Sequence, residues 1–275
     1  MAQSKIPQDA RSTLRTNRKL KVADDAAGGK PLSSGDKAAD KARTLELAQE
    51  IAALQNVFYA EHGRKLLVVL QGMDTSGKDG TVKGVFGMID PLGIRSVAFK
   101  APSTTEREHD FLWRIHSQTP GQGEIVIFNR SHYEDVLITR VHGWIDDAEA
   151  ERRLAHIRDF ERMLAETGTV VLKFFLHISK DEQKVRLEER LADPEKHWKF
   201  DPNDLKEREF WSDYQSVYGK AITQTDADHA PWFVIPSDSK THRNLAIATI
   251  VVDTMRSMKL KYPAPHPEYA TLKVI

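Results

Sequence analysis

Residues 72–81, "GMDTSGKDGT", combine glycines, a lysine and two aspartates in the spacing G-x-x-x-x-G-K. Gly72 and Gly77 let the backbone turn so that successive N–H groups face one anion, and Lys78 adds a point charge that reaches terminal phosphates. Met73, Thr75, Ser76, Gly80 and Thr81 complete the cradle, and the helix that follows adds the positive end of its dipole. The pattern then departs from the usual phosphate loop. Asp79 stands where a Ser or Thr hydroxyl normally meets magnesium, and Asp74 puts a carboxylate inside the loop. A carboxylate there makes chemical sense as a ligand of Mg²⁺ bridging the phosphates, or as the group that orients an attacking phosphate oxygen. Asp79, one residue into the helix, either caps its first turn or contacts a positive side chain.

Three further stretches carry groups suited to phosphate chemistry. "GEIVIFNRSHYEDVL", residues 123–137, is an apolar strand whose polar end falls beside the loop. Asn129 takes the place of the expected strand-end acid, which leaves Arg130 for the moving phosphate and the carboxylate duty to Asp74 or Glu134; Asn129 reads equally well as a strand-end turn residue. In residues 177–214, Arg186 and Arg190 share one helix face, as a basic lid over phosphates would require. Judged alone, they read as a solvated face of ion pairs. Lys196, Trp198 and Lys199 sit on a proline-containing turn able to reach into a cleft, with Trp198 equally suited to anchor a core. "FKAPSTTEREHDFLWRIH", residues 99–116, offers Lys100, Arg107 and Arg114 after the second strand, where nucleotide kinases bind the acceptor, and places Phe111, Leu112 and Ile115 at core spacing.

These groups need elements to hold them. "KLLVVLQ", "IRSVAFK", "EIVIFNR", "VVLKFFLHI" and "WFVIPS" each read as a strand buried on both faces. Helical patterns fill 78–89, 105–117, 147–166, 181–192, 204–223 and 240–259, and a helix from Asp40 to about His62, stopped by Gly63, precedes the first strand. The alternation predicts a parallel sheet of about five strands with helices on both faces, and ligands at the carboxyl ends of the strands. Residues 1–40 read as a flexible N-terminal arm, 41–262 as one kinase body with a lid at about 181–215, and 263–275 as an extended tail.

Composition narrows the partners. Forty basic and forty acidic side chains balance, so no nucleic-acid or membrane-surface field is implied, and a polyanion site must be a local cluster. The absence of cysteine removes disulfides, thiolate nucleophiles and thiolate-bound zinc. With neither an apolar leader nor a spanning segment, a cytoplasmic protein is expected.

"GMDTSGKDGT", "FKAPS" with "HDFLWRIH", "FNRSHYEDV" and "DPEKHWKF", in this order from Leu66 to Tyr218 and more weakly to Ser257, resemble the polyphosphate kinase 2 family. Its phosphate loop has the form G-x-D-x-x-G-K-D-G with both aspartates, so the missing hydroxyl is a family feature. The resemblance implies a three-layer α/β/α P-loop kinase fold with a helical lid, and a homo-oligomer, dimer or tetramer. It also implies reversible, Mg²⁺-dependent phosphoryl transfer from inorganic polyphosphate to a nucleotide, with Mn²⁺ as a substitute metal. Asp74, Lys78 and Arg130 would form the catalytic core, Asp74 and Glu134 would hold the metal, and Arg186, Arg190, Lys196 and Lys199 would contact the phosphate chain. Lys100, Arg114, Asn129, Ser131, Tyr133 and Glu134 would face the nucleotide. Glu134, where branches reading "FxRSWYN" carry Asn, resembles the branch that phosphorylates both AMP and ADP, adenine being the expected base and guanine a second one. The alternatives are an ATP-dependent nucleoside or nucleotide kinase of the same fold and a non-catalytic polyphosphate-binding regulator, although Gly72, Gly77 and Lys78 are all intact.

Overall fold

The computed structural model describes residues 10–16 and 20–274. Its centre is a parallel sheet of five strands, β1 Lys65–Gln71, β2 Ile94–Ala98, β3 Ile125–Asn129, β4 Thr169–His177 and β5 Trp232–Pro236, in the order β2-β3-β1-β4-β5. Register places Leu70 of β1 beside Asn129 on one side and Phe174 on the other, so the loop after β1 emerges between the ends of β3 and β4.

Alternating side chains of β1 feed two separate cores. Leu66, Val68 and Leu70 pack under α1 Lys37–Glu61, α2 Lys78–Phe86 and α6 Lys240–Ser257, through Leu47, Ile51, Val85 and Ile247 among others. Leu67 and Val69 face α3 Asp147–Glu166 and α5 Trp211–Thr225 through Leu154, Ile157, Tyr218 and Ile222. Three layers result, as the alternation of runs predicted. The excursion read as a lid runs from α4 Lys180–Ala192 through the turns Pro194–Lys199 and Asn203–Glu207 to the start of α5. No helix among the described residues is long and apolar enough to cross a membrane.

Several boundaries move for local reasons. The expected helix over 105–117 breaks into Thr104–Arg107 and Trp113–His116, because Asp110 accepts the Leu112 N–H at 2.9 Å and starts a new turn. The expected helix over 204–223 breaks at the tighter turn Arg208–Phe210. β2, expected to be covered on both faces, is one of the two edge strands and stays half exposed. α1 begins at Lys37, capped by Asp36 on the Ala38 N–H at 2.8 Å. Asp40, read as its start, lies a turn inside and binds Ser33 Oγ and the N–H and Oγ of Ser34.

The segment read as a flexible arm lies against the body wherever it is described; residues 1–9 and 17–19 fall outside the description. Ala27 and Leu32 are buried, the Ala23 carbonyl lies 2.8 Å from His177 Nε2, and the Leu32 N–H donates to His242. Asp24 accepts from the indole of Trp211 at 3.0 Å and from the Lys180 N–H at 3.3 Å, tying both ends of the lid to one carboxylate. Composition registered its Gly, Ala and Ser content and missed the apolar anchors spaced along it, Ala10, Leu14, Ala27 and Leu32 among the described residues.

Candidate active site

The turn after β1 is held from outside. Arg186, buried, spends all five donors: two on the carbonyls of Thr75 and Ser76, two on those of Ser237 and Asp238, and one on Glu182. It therefore braces the loop and has no donor left for a phosphate chain, contrary to the lid role expected of it. Arg243, which the sequence reading missed, also lies buried against this outer side and donates to the Ser76 carbonyl at 3.2 Å. A Cβ on Gly77 (φ 101°) would fall 1.8 Å from Arg243 Nη1, and one on Gly80 3.0 Å from Nη2, so glycine at both positions admits the guanidinium. Burial and neighbouring Arg186 push the Arg243 pKa down to about 10.

On the inner side, Lys78 is buried with Nζ 2.6 Å from the Gly72 carbonyl and 3.3 Å from that of Met73. Burial and the Arg130 charge lower its pKa to about 8 against the opposing pull of Asp74, Glu134 and Asp79. The hydroxyls of Thr75, Ser76 and Thr81 are buried and without hydrogen-bond partners. Such groups are costly unless a ligand or water satisfies them. Thr75 (φ 63°) and Arg130 (φ 64°) are both left-handed, a conformation that costs a non-glycine residue about 1–3 kcal/mol and clusters at functional sites.

Where β1 and β3 end, Arg130 Nη2 meets Asp74 Oδ1 at 2.5 Å. Burial opposes the Arg130 charge, but Asp74 and Glu134 outweigh it and hold its pKa up. Glu134 is oriented by the Gln71 amide at 3.0 Å. These groups open onto a cleft of roughly 1360 Å³ whose far rim carries Lys100, Arg107 and Arg114. Arg114 is buried, fixed by Asp135 at 3.1 Å and the Lys100 carbonyl at 2.7 Å. Phe111 and Leu112 are partly buried, packed against the core on one side and lining the cleft on the other, and Ile115 is buried within that core.

Other expected site residues lie elsewhere. Ser131 is buried and caps the turn His132–Asp135 through the Tyr133 N–H. Tyr133 is fully buried, its hydroxyl bonded to Glu161 and Thr225 and receiving from Lys173 Nζ. Burial works to raise the Glu161 pKa, but Lys173 and His132 outweigh it and keep the carboxylate ionised. Neither Ser131 nor Tyr133 faces the cleft, because this tight turn sends Ser131, His132 and Tyr133 inward and leaves Glu134 outside. Asn129 also turns away, donating to Asp79 Oδ1 at 2.8 Å. Lys199 of the lid approaches the other Asp79 oxygen at 3.6 Å. Of its two proposed roles, Asp79 thus takes the contact with a positive side chain. Arg190 stays within the lid, near the Lys199 carbonyl at 3.3 Å and Asp204 at 3.5 Å, and Lys196 pairs with Asp193. Trp198 anchors no core and is 79% exposed. Asp204, also unforeseen, lines the cleft, where burial and Asp74 raise its pKa to about 6.

Among the described residues, no three His, Cys, Asp or Glu side chains converge to cage a metal. Asp74 and Glu134 supply two hard oxygen donors beside a phosphate loop, a set that fits Mg²⁺, which binds through one or two carboxylates together with substrate phosphates.

The chain matches the model of the polyphosphate kinase 2 family over residues 34–263. It is 49% identical over 229 residues to an AMP/ADP-polyphosphate phosphotransferase of Meiothermus ruber, covering 83% of this chain and 85% of that one. It is 41% identical over 231 residues to an ADP-polyphosphate phosphotransferase of Rhodopseudomonas palustris, covering 80% of each. The crystal structure of polyphosphate kinase 2 from Arthrobacter aurescens TC1 superposes with a TM-score of 0.94 at 42% identity, over 98% of this chain and 97% of that one. A likeness of this extent takes in the phosphate loop, the strand ends around it and the lid together, and the chain belongs to the polyphosphate kinase 2 family.

Proposed function

We propose that this protein transfers phosphoryl groups from inorganic polyphosphate to AMP and ADP. The observation that carries the reading is the meeting of Lys78, Asp74, Arg130 and Glu134 where β1 and β3 end, at the mouth of a cleft with a basic far rim. The activities named for the two relatives above support it.

In this reading the loop N–H groups and the Lys78 ammonium hold a donor phosphate. Arg130, 43% exposed at its side chain, neutralises charge on the phosphoryl group in flight, and Asp74 keeps its guanidinium oriented. Lys100, Arg107 and Arg114 draw the acceptor's phosphate into line, and the apolar wall of Phe99, Phe111 and Leu112 excludes water. Asp74 and Glu134 would hold Mg²⁺, or Mn²⁺ in its place, which would supply neutralisation of phosphate charge. Reversibility, a dimer or tetramer, guanine nucleotides as further acceptors and a cytoplasmic location complete the proposal.

The test is incubation with ADP, Mg²⁺ and polyphosphate in the absence of ATP, followed by luminescence. ATP is expected, and its absence overturns the reading in favour of an ATP-dependent kinase. Because Glu134 lines the cleft that the acceptor enters, Glu134→Asn is expected to change the ratio of AMP to ADP turnover on the order of tenfold. An unchanged ratio in paired initial-rate assays would place acceptor choice on the rim of Lys100 and its neighbours.

A further inference from the structure

The lid helix α4 grips the phosphate loop through two residues three apart. Arg186 takes the Thr75 and Ser76 carbonyls, and Gln183, a turn earlier, donates from Nε2 to the Asp74 carbonyl at 3.1 Å. Three successive carbonyls are thus held by one helix face. Gln183 is 1% exposed, and its other amide atom is also committed: Oε1 accepts from Arg208 Nη1 at 2.8 Å, and the same nitrogen donates to the Lys180 carbonyl at 2.8 Å. Arg208 stands where the lid returns to the body, immediately before α5, and Lys180 where it leaves. One buried amide therefore touches the backbone of the catalytic aspartate on one side and the junction of both lid strands on the other.

We infer that Gln183 is a positioning residue for phosphoryl transfer, fixing the Asp74 backbone to the base of the lid so that a shift of Arg208 is passed to Asp74. The peptide plane makes this directional: holding the Asp74 carbonyl toward α4 turns the Thr75 N–H the opposite way, away from the lid helix. An amide suits the place because it donates to one neighbour and accepts from the other. A carboxylate of the same shape keeps the Arg208 contact and sets a lone pair against the Asp74 carbonyl. The inference rests on the reading that Asp74 serves phosphoryl transfer.

Gln183→Glu is the diagnostic variant, with Gln183→Leu as a second that loses both bonds without adding charge. In both, kcat for ATP formation is expected to fall about 10–100-fold, as for other groups that orient a catalytic residue, with KM for ADP and polyphosphate within about threefold. Hydrogen exchange of ligand-free protein is expected to speed up at the Thr75–Gly77 amides and to stay unchanged in β1. Turnover within twofold of wild type in both variants overturns the inference. So does a loss of turnover that merely follows a lowered thermal midpoint and recovers on cooling. If wild type forms no ATP from polyphosphate, the proposed function fails, while the exchange measurement, which needs no substrate, still decides the role of Gln183.

Discussion

Asp74→Asn is expected to lower kcat about 10²–10³-fold while leaving the fold intact. The carboxylate is 26% exposed and pairs with a partly exposed Arg130, a contact worth about 0.2–1 kcal/mol to folding. The thermal midpoint should therefore move by a few degrees at most. Turnover depends on the same atom more steeply. Asparagine keeps the shape, but loses the charge that orients Arg130 and, on the proposed reading, one of the hard oxygens offered to the metal. Initial rates of ATP formation beside a thermal melt separate the two effects. Wild-type turnover in this variant would move the metal-handling role to Glu134.

The second large effect is a pH dependence set by Lys78. In the ligand-free protein its pKa is about 8, below the ordinary lysine value of 10.5. Between these values the unfolded chain binds more protons than the folded one, so the Lys78 contribution to stability rises with pH across that window, and below it the buried ammonium is a standing cost. A bound phosphate favours the charged form and restores the proton. Polyphosphate capture should then be best below pH 8 and weaken about tenfold per pH unit above it. The expected signature is a kcat/KM for polyphosphate that falls above pH 8, while kcat at saturation holds to higher pH. A kcat/KM flat to about pH 9.5 would mean that Lys78 is already fully charged in the free enzyme.

The sheet was legible because parallel strands buried on both faces are continuous apolar runs, and β1, β3, β4 and β5 are such runs. β2 breaks its apolar run with Arg95 and Ser96, a local sign of its half-exposed edge position that the reading as a doubly covered strand passed over. The phosphate loop was legible for a different reason: its glycines and lysine act within one turn of chain, so spacing alone carries the meaning. Charged residues outside the loop were not. Arg186 and Arg190 share a face in sequence, but Arg186 points at four carbonyls that only the tertiary fold brings together, while Arg190 stays in the lid. Ser131 and Tyr133 share a motif string with Arg130 and Glu134 and turn inward, since a tight turn does not follow strand alternation. Arg243 and Gln183 gave one available signal, a polar side chain in the first turn of a helix that follows the carboxyl end of a strand, where ligands of parallel sheets collect.

The two guanidiniums buried behind the loop bear on more than geometry. Among the described residues Glu182 is the one acid paired with either, leaving Arg243 without a counter-charge. The ligand-free fold thus carries an unbalanced positive charge behind the loop, and an anion bound in the loop, as proposed, would supply part of the balance as well as the substrate. Simple oxyanions that bind there would raise apparent stability by RT ln(1 + [L]/Kd). On the proposed reading, a melting curve in phosphate buffer and one in a buffer without oxyanions would then belong to two different molecular species.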